Sequence, residues 1–280
     1  EAAIVVGAVW LFHRWRKNKP AKQKAPIRWG LLYAFSLIAL LSHLLLDWTN
    51  NYGLRLFFPF NPHWYAGSIV FIFEPLIFAA LLIALIAPAL FGLISSEVGV
   101  RKSPFRGRAW AIAALIAIAA LYEWRTLERQ NAIHLAQTID VNGAPSLRVT
   151  ANPYPSNSYR WQTSVETPQV YQLATVDLLN HTVATSPRAD IFYKPSTTLA
   201  TLVAKRTWLG EIYLDWSSYP LVTDTGVNDD GLTTVTFTDL RFLYNAAFLS
   251  GREHPPLSGA VILNPDRRVV RMEMDGHIQH

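Results

Sequence analysis

The sequence predicts a polytopic α-helical membrane domain followed by a β-rich (α+β) extracytoplasmic domain. Three observations predict it. Apolar runs of bilayer length are confined to the first 123 residues, basic residues cluster between those runs, and the remainder alternates short β-branched and aromatic stretches with Pro, Asn, Asp and Gly turns. Apolar residues make up 51% of the chain and charged residues only 16%, which is sparse for an ordinary soluble enzyme. The charge is also unevenly placed: residues 1–123 carry 12 Lys+Arg against 5 Asp+Glu, and residues 124–280 carry 13 against 15. Cations that sit between hydrophobic runs belong to membrane loops and not to a nucleic-acid surface, so no nucleic-acid partner is expected.

Four helices are expected near residues 1–12, 29–48, 67–94 and 109–123. Trp29–Trp48 and Gly67–Ile94 are long enough to span, and Ala109–Tyr122 spans with Trp110 and Trp124 at the interfaces. Ala2–Phe12 is short for a span, and with no initiating Met or leader-like segment before it, further residues are expected upstream. The stretch His13–Arg28 carries seven Lys+Arg and Glu97–Arg108 four, whereas Asn50–Ala66 carries only Arg55. That asymmetry places both basic loops in the cytoplasm and everything after about Glu123 outside. The chain is therefore read as a multi-pass protein of the cytoplasmic membrane, with its helical domain at 1–123, a linker at 124–159 and the exported domain at 160–280.

In the exported part, "RWQTSVET", "VYQLATVDLL", "ADIFYKP", "GEIYLDWSSYPLV", "TTVTFTDLRFLY" and "GAVILNPDRRVVRMEMDG" read as strands, the last turning at "NPDR". Helices fit Ser196–Arg206 and the region around Val176–Thr182. "NPYPSNSY", Asn152–Tyr159, marks entry to the domain. "DLRF" suggests a local ion pair, and at a surface such pairs contribute little. Asp229 and Asp230 precede Gly231 in what reads as a hairpin connection.

Candidate chemistry lies in the membrane half. His43 and Asp47 stand at i and i+4, on one face of an apolar helix. His43 lies roughly 7 Å below the outer boundary on an outward-going helix, and Glu74, read inside the returning Gly67–Ile94 helix, roughly 10 Å below it. Ionisable groups at such depth persist where they pair, ligate or line a wet cavity. An imidazole and two carboxylates suit zinc or a similar divalent ion, with a water at the open position made acidic enough to act near neutral pH. From spacing alone, an interhelical polar clamp remains the alternative. His134, His181, His254, His277 and His280 show no ligand spacing, and GxSxG, HExxH and CxxC are all missing. Trp48, Trp64, Tyr65, Trp110, Tyr122 and Trp124 read as an aromatic belt.

The stretch "HLLLDWTNNYGLRLFFPF" followed by "FIFEP" resembles the HxxxDxxTxxG segment and downstream acid-Pro pair of the YdjM-like family, bacterial inner-membrane proteins classed with metal-dependent hydrolases. The resemblance runs from about Trp29 to Pro75, and "NPYPSNSYRWQTSVET" resembles the opening of the exported domain in longer members. It implies that His43, Asp47 and Glu74 hold the metal, with Asp47 and Glu74 also serving catalysis. Asn50 stands where the family has threonine, with Thr49 one place earlier. The family's His-Arg and Thr-His-Ser element is expected just before Ala2, so the resemblance implies further ligands there. A more distant kinship with zinc-dependent phospholipase C and nuclease folds implies a phosphoester or lipid-linked substrate. The competing expectation is a non-enzymatic membrane protein whose exported domain binds an envelope component or a partner protein.

Overall fold

The computed structural model describes residues 2–16, 27–97, 107–155, 157–186, 189–244 and 255–279. The two basic loops read from sequence lie largely outside these residues. The chain divides into two compact units, residues 1–68 and 69–280.

In the first unit, α1 (Ala2–Arg16) packs against α2 (Trp29–Thr49). The helix α2 ends in a return loop that the sequence dictates closely. Asn50 leaves helical geometry, and its side-chain oxygen accepts the N–H of Tyr52 at 2.8 Å, a local bond that competes with further helix. The backbone of Leu54 then pairs with Tyr65 through two 2.9 Å hydrogen bonds. Gly53 makes that approach possible: at φ +77°, a Cβ there would stand 3.1 Å from the Tyr65 carbonyl oxygen. The loop closes where the N–H groups of Gly67 and Ser68 donate to the carbonyls of Trp48 and Asn50.

In the second unit, α3 (Pro75–Glu97) and α4 (Arg108–Ala136) pack as a hairpin, with Phe91 stacked on Trp110 at 5.7 Å. The helix expected from Gly67 begins only at Pro75, whose ring suits the first helical position. The helix expected to end near 123 runs to Ala136, through a stretch read as linker. Its apolar run stops, but Ala132 and Ala136 continue on a buried face. Together α2, α3 and α4 are the three helices long and apolar enough to cross a membrane among the described residues.

Two antiparallel sheets follow. The first orders β1 (Arg148–Pro153), β2 (Arg160–Glu166), β3 (Val170–Asp177) and β4 (Thr182–Ala184), with β5 (Ile191–Tyr193) also on β3. Thus β1 lies within the expected linker. The helix expected near Val176–Thr182 is instead a β3–β4 turn, in which the Asp177 carboxylate accepts the N–H groups of Leu179 and Asn180. Ala132 and Ala136 of α4 pack on this sheet with Ala151, Trp161, Val165 and Val176.

The second sheet is a meander of β6 (Pro220–Val227), β7 (Thr233–Asp239), β8 (Gly259–Leu263), β9 (Val269–Met274) and β10 (His277–Gln279). The β6–β7 connection holds Asp229 and Asp230 as expected, and Asn264–Arg268 makes the hairpin turn read at "NPDR". Inward Val235 and Phe237 alternate with outward threonines along β7. Against this face pack α5 (Leu199–Lys205), where a helix is expected, and α6 (Trp208–Trp216), where a strand is expected. Thr207 caps α6 by accepting the Gly210 N–H, and a Cβ on Gly210 would collide with the Ala204 carbonyl, so glycine lets the two helices meet. The "DLRF" pair is buried and not superficial: Arg241 and Asp239 stand 2.7 Å apart, and Asp239 also accepts from Ser217 and Ser218.

Between the sheets, Glu166 binds Lys194 at 2.8 Å and Arg148 at 3.0 Å, and Arg148 donates onward to the Ser218 carbonyl while lying over the Tyr219 ring. Partial burial works against the Glu166 anion, but Lys194 and Arg148 outweigh it and hold the carboxyl below its usual range. A lowered native pKa means that stability from this cluster is complete above the unfolded value, about 4.3, and is lost as pH falls through the native one. Thermal melts of the full chain between pH 6 and pH 3 should show a loss of up to about 1 kcal/mol that Glu166→Gln removes. Identical melting slopes for wild type and variant would contradict this role.

Candidate functional site

The face of α2 carries the first constellation. His43 Nε2 stands 3.4 Å from Asp47 Oδ2, and the two side chains are 71% and 43% exposed. The i, i+4 spacing thus brings the two groups together as expected. The pair stands one turn before the return loop, and the neighbouring motif residues build that loop. Thr49 donates its hydroxyl to the Leu46 carbonyl, Asn50 caps the helix, and Gly53 lets the strands meet. Asn50 therefore has a structural role at the position where the motif has threonine.

The 3.4 Å separation is that of a direct imidazole–carboxylate contact, and it is also the spacing of two ligands on one ion. Two ligand atoms each about 2.1 Å from a tetrahedral zinc stand about 3.4 Å apart. The donors are the nitrogen and carboxylate oxygen that such an ion accepts. Two donors form only part of a ligand set, and among the described residues no group of three His, Cys, Asp or Glu side chains is placed to hold a metal.

Glu74 has a setting of its own in the second unit. It precedes α3 as the capping residue, its carbonyl accepting the Phe78 N–H at 3.2 Å, so the depth expected from helical rise does not apply to it. Its side chain is only 8% exposed, and Oε1 accepts from Ser158 Oγ at 3.3 Å. Ser158 is held from the other side as well, because Arg125 of α4 donates to its carbonyl. The same guanidinium pairs with Glu128 at 3.0 Å and lies 4.2 Å from the centre of the Trp161 ring. Arg129, one position on, donates to the Ala151 carbonyl at 3.1 Å.

Arg125, Glu128, Ser158 and Trp161 escape the sequence reading. A signal existed: residues 125, 128, 132 and 136 repeat at helical spacing across the point where the apolar run ends. Ser158 carries no such pattern, because its role depends on a chain reversal that brings the 157–159 segment back to α4.

Residues 2–132 match the family described as YdjM inner membrane protein. No curated protein and no solved structure matches the chain. Together with its three apolar helices of spanning length, the match makes this a membrane protein.

Removing the cation from the Arg125 cluster leaves two buried carboxylates facing each other. Arg125→Met should lower unfolding stability by about 3–5 kcal/mol, and adding Glu128→Met should restore part of the loss. Denaturant unfolding of the two proteins in detergent checks this, and an unchanged midpoint for Arg125→Met would refute it.

Proposed function

We propose that the chain is a membrane-bound metal-dependent hydrolase acting on a phosphoester or lipid-linked substrate at the outer face of the cytoplasmic membrane. The His43–Asp47 pair at 3.4 Å carries this reading, since an imidazole and a carboxylate held at ligand spacing on an apolar helix serve an ion better than they serve packing. His43 would ligate through Nε2 and Asp47 through Oδ2, and the second Asp47 oxygen remains to take a proton from the attacking water. A divalent ion there supplies Lewis acidity and lowers the pKa of water. The remaining coordination positions fall to other side chains, water or a substrate oxygen.

A second reading has its own support. Leu199, Leu202, Trp208 and Ile212 expose apolar side chains along α5 and α6, as a partner-binding surface of the β-rich unit would.

Metal analysis of the full-length protein separates ligand pair from polar clamp. Asp47→Asn keeps shape and a hydrogen-bonding oxygen but removes the charge, so bound divalent metal should fall by at least about tenfold while folding changes little. Metal-free wild type whose melting temperature ignores chelators would refute the hydrolase. Orientation is tested independently. Cysteines at Asn61 and Ser217 should react with an impermeant thiol reagent on intact cells and one at Gln23 should not, as the positive-inside asymmetry requires. Labelling at Gln23 alone would invert the topology.

A further inference from the structure

The second unit contains a cavity of about 400 Å³ whose lining includes Glu74, Ser158, Phe71, Trp124, Tyr154 and Tyr159. The rings are braced from behind. Phe71 and Tyr154 each meet Tyr244 edge-on, at 6.0 and 5.9 Å, and Trp124 meets Tyr159 at 5.5 Å. Glu74 is the one charged residue of the lining, and it is more than nine-tenths buried. Its neighbour Arg125 is already paired with Glu128 at 3.0 Å, so Glu74 shares that guanidinium with a second carboxyl group.

Aromatic side chains that line one cavity with a buried carboxyl group favour a cation, and the volume admits an ammonium-bearing group of several heavy atoms. The position in the fold selects its carrier. Pro75 and Leu76, the first residues of the spanning helix α3, line the same cavity, and Ile72 and Phe73 beside it are exposed apolar side chains. Trp124 marks the level at which the apolar run of α4 ends, the usual place of an interfacial aromatic. We propose that this cavity binds the primary-ammonium headgroup of a membrane lipid, the ammonium donating to Glu74 and lying against the rings of Trp124 and Tyr159, with the acyl chains along α3.

This goes beyond the hydrolase reading, which rests on His43 and Asp47, and gives Glu74 a role apart from the ligand role that the family resemblance implies. Native mass spectrometry of the delipidated full chain, titrated with phosphatidylethanolamine and with phosphatidylglycerol of identical acyl chains, tests it. The ethanolamine lipid should bind at least about tenfold more tightly, a difference of about 1.4 kcal/mol. Glu74→Gln should erase the preference, and Trp124→Leu, which leaves the carboxylate in place, should reduce it severalfold. Equal affinity of the wild type for the two lipids would overturn the proposal whether or not the variants fold, and so would a preference that survives Glu74→Gln. Free ethanolamine should bind far more weakly than the lipid; equal binding would overturn the lipid assignment. Loss of metal from Asp47→Asn has no bearing on any of these outcomes, so the two proposals fail separately.

Discussion

A guanidinium buried in a helix that emerges from an apolar span is the constraint around which the second unit is built. Arg125 is 1% exposed, and stripping it of water costs several kcal/mol unless its hydrogens find partners. Glu128 answers one turn along the same helix, the Ser158 carbonyl answers from the chain that follows β1, and the Trp161 ring supplies a face. Those partners come from two different stretches of chain, so satisfying Arg125 docks the first sheet onto α4. Ser158, fixed by its carbonyl, then presents its hydroxyl to Glu74 and ties the start of α3 to the same point. Each charge makes the next one tolerable.

The continuity of α4 follows from this docking. A helix that ended with its apolar run would leave Arg125 and Glu128 in a loop, with no scaffold to hold them against Trp161. Continuing to Ala136 instead gives small residues, Ala132 and Ala136, to the packing against Ala151, Val165 and Val176. Small side chains let helix and sheet approach closely, and close approach keeps water from the ion pair above them. One element therefore serves two surroundings, with large apolar side chains along its first half and a charged, then alanine-lined, face along its second.

What the sequence made legible follows from which signals are local. The presence of three apolar helices of spanning length, the i, i+4 pairing of His43 with Asp47, the turn at Asn264–Arg268 and the helix at Leu199–Lys205 each depend on local residues, and each is found in the structure. The misreadings share a different cause. Charged residues after Trp124 look like the end of a helix when their partners are unknown, because Ser158 and Trp161 lie more than thirty positions away. Trp208–Trp216 is rich in strand-forming side chains, yet the Thr207 cap and the close approach at Gly210 favour a helix. The apolar run from Gly67 looks continuous with α3, and only Pro75 signals that the helix begins later.

The ionisable groups of the apolar half therefore divide by how completely the protein answers them. Arg125, Glu128 and Glu74 are enclosed, and Arg125 is partnered through Nη1 by Glu128 and the Ser158 carbonyl while its buried Nε makes no hydrogen bond among the described residues. Among the described residues of their unit, His43 and Asp47 pair with one another, on a helix face that is open at both side chains. A single 3.4 Å contact between two side chains open at the helix face adds no packing to the apolar helix that carries them. The residues around them do account for the fold, since Thr49, Asn50 and Gly53 end the helix and shape the loop without help from the pair. Binding is the role we propose for His43 and Asp47. Asp47 stands one turn and His43 two turns before a closed loop, the kind of support that a ligand pair requires.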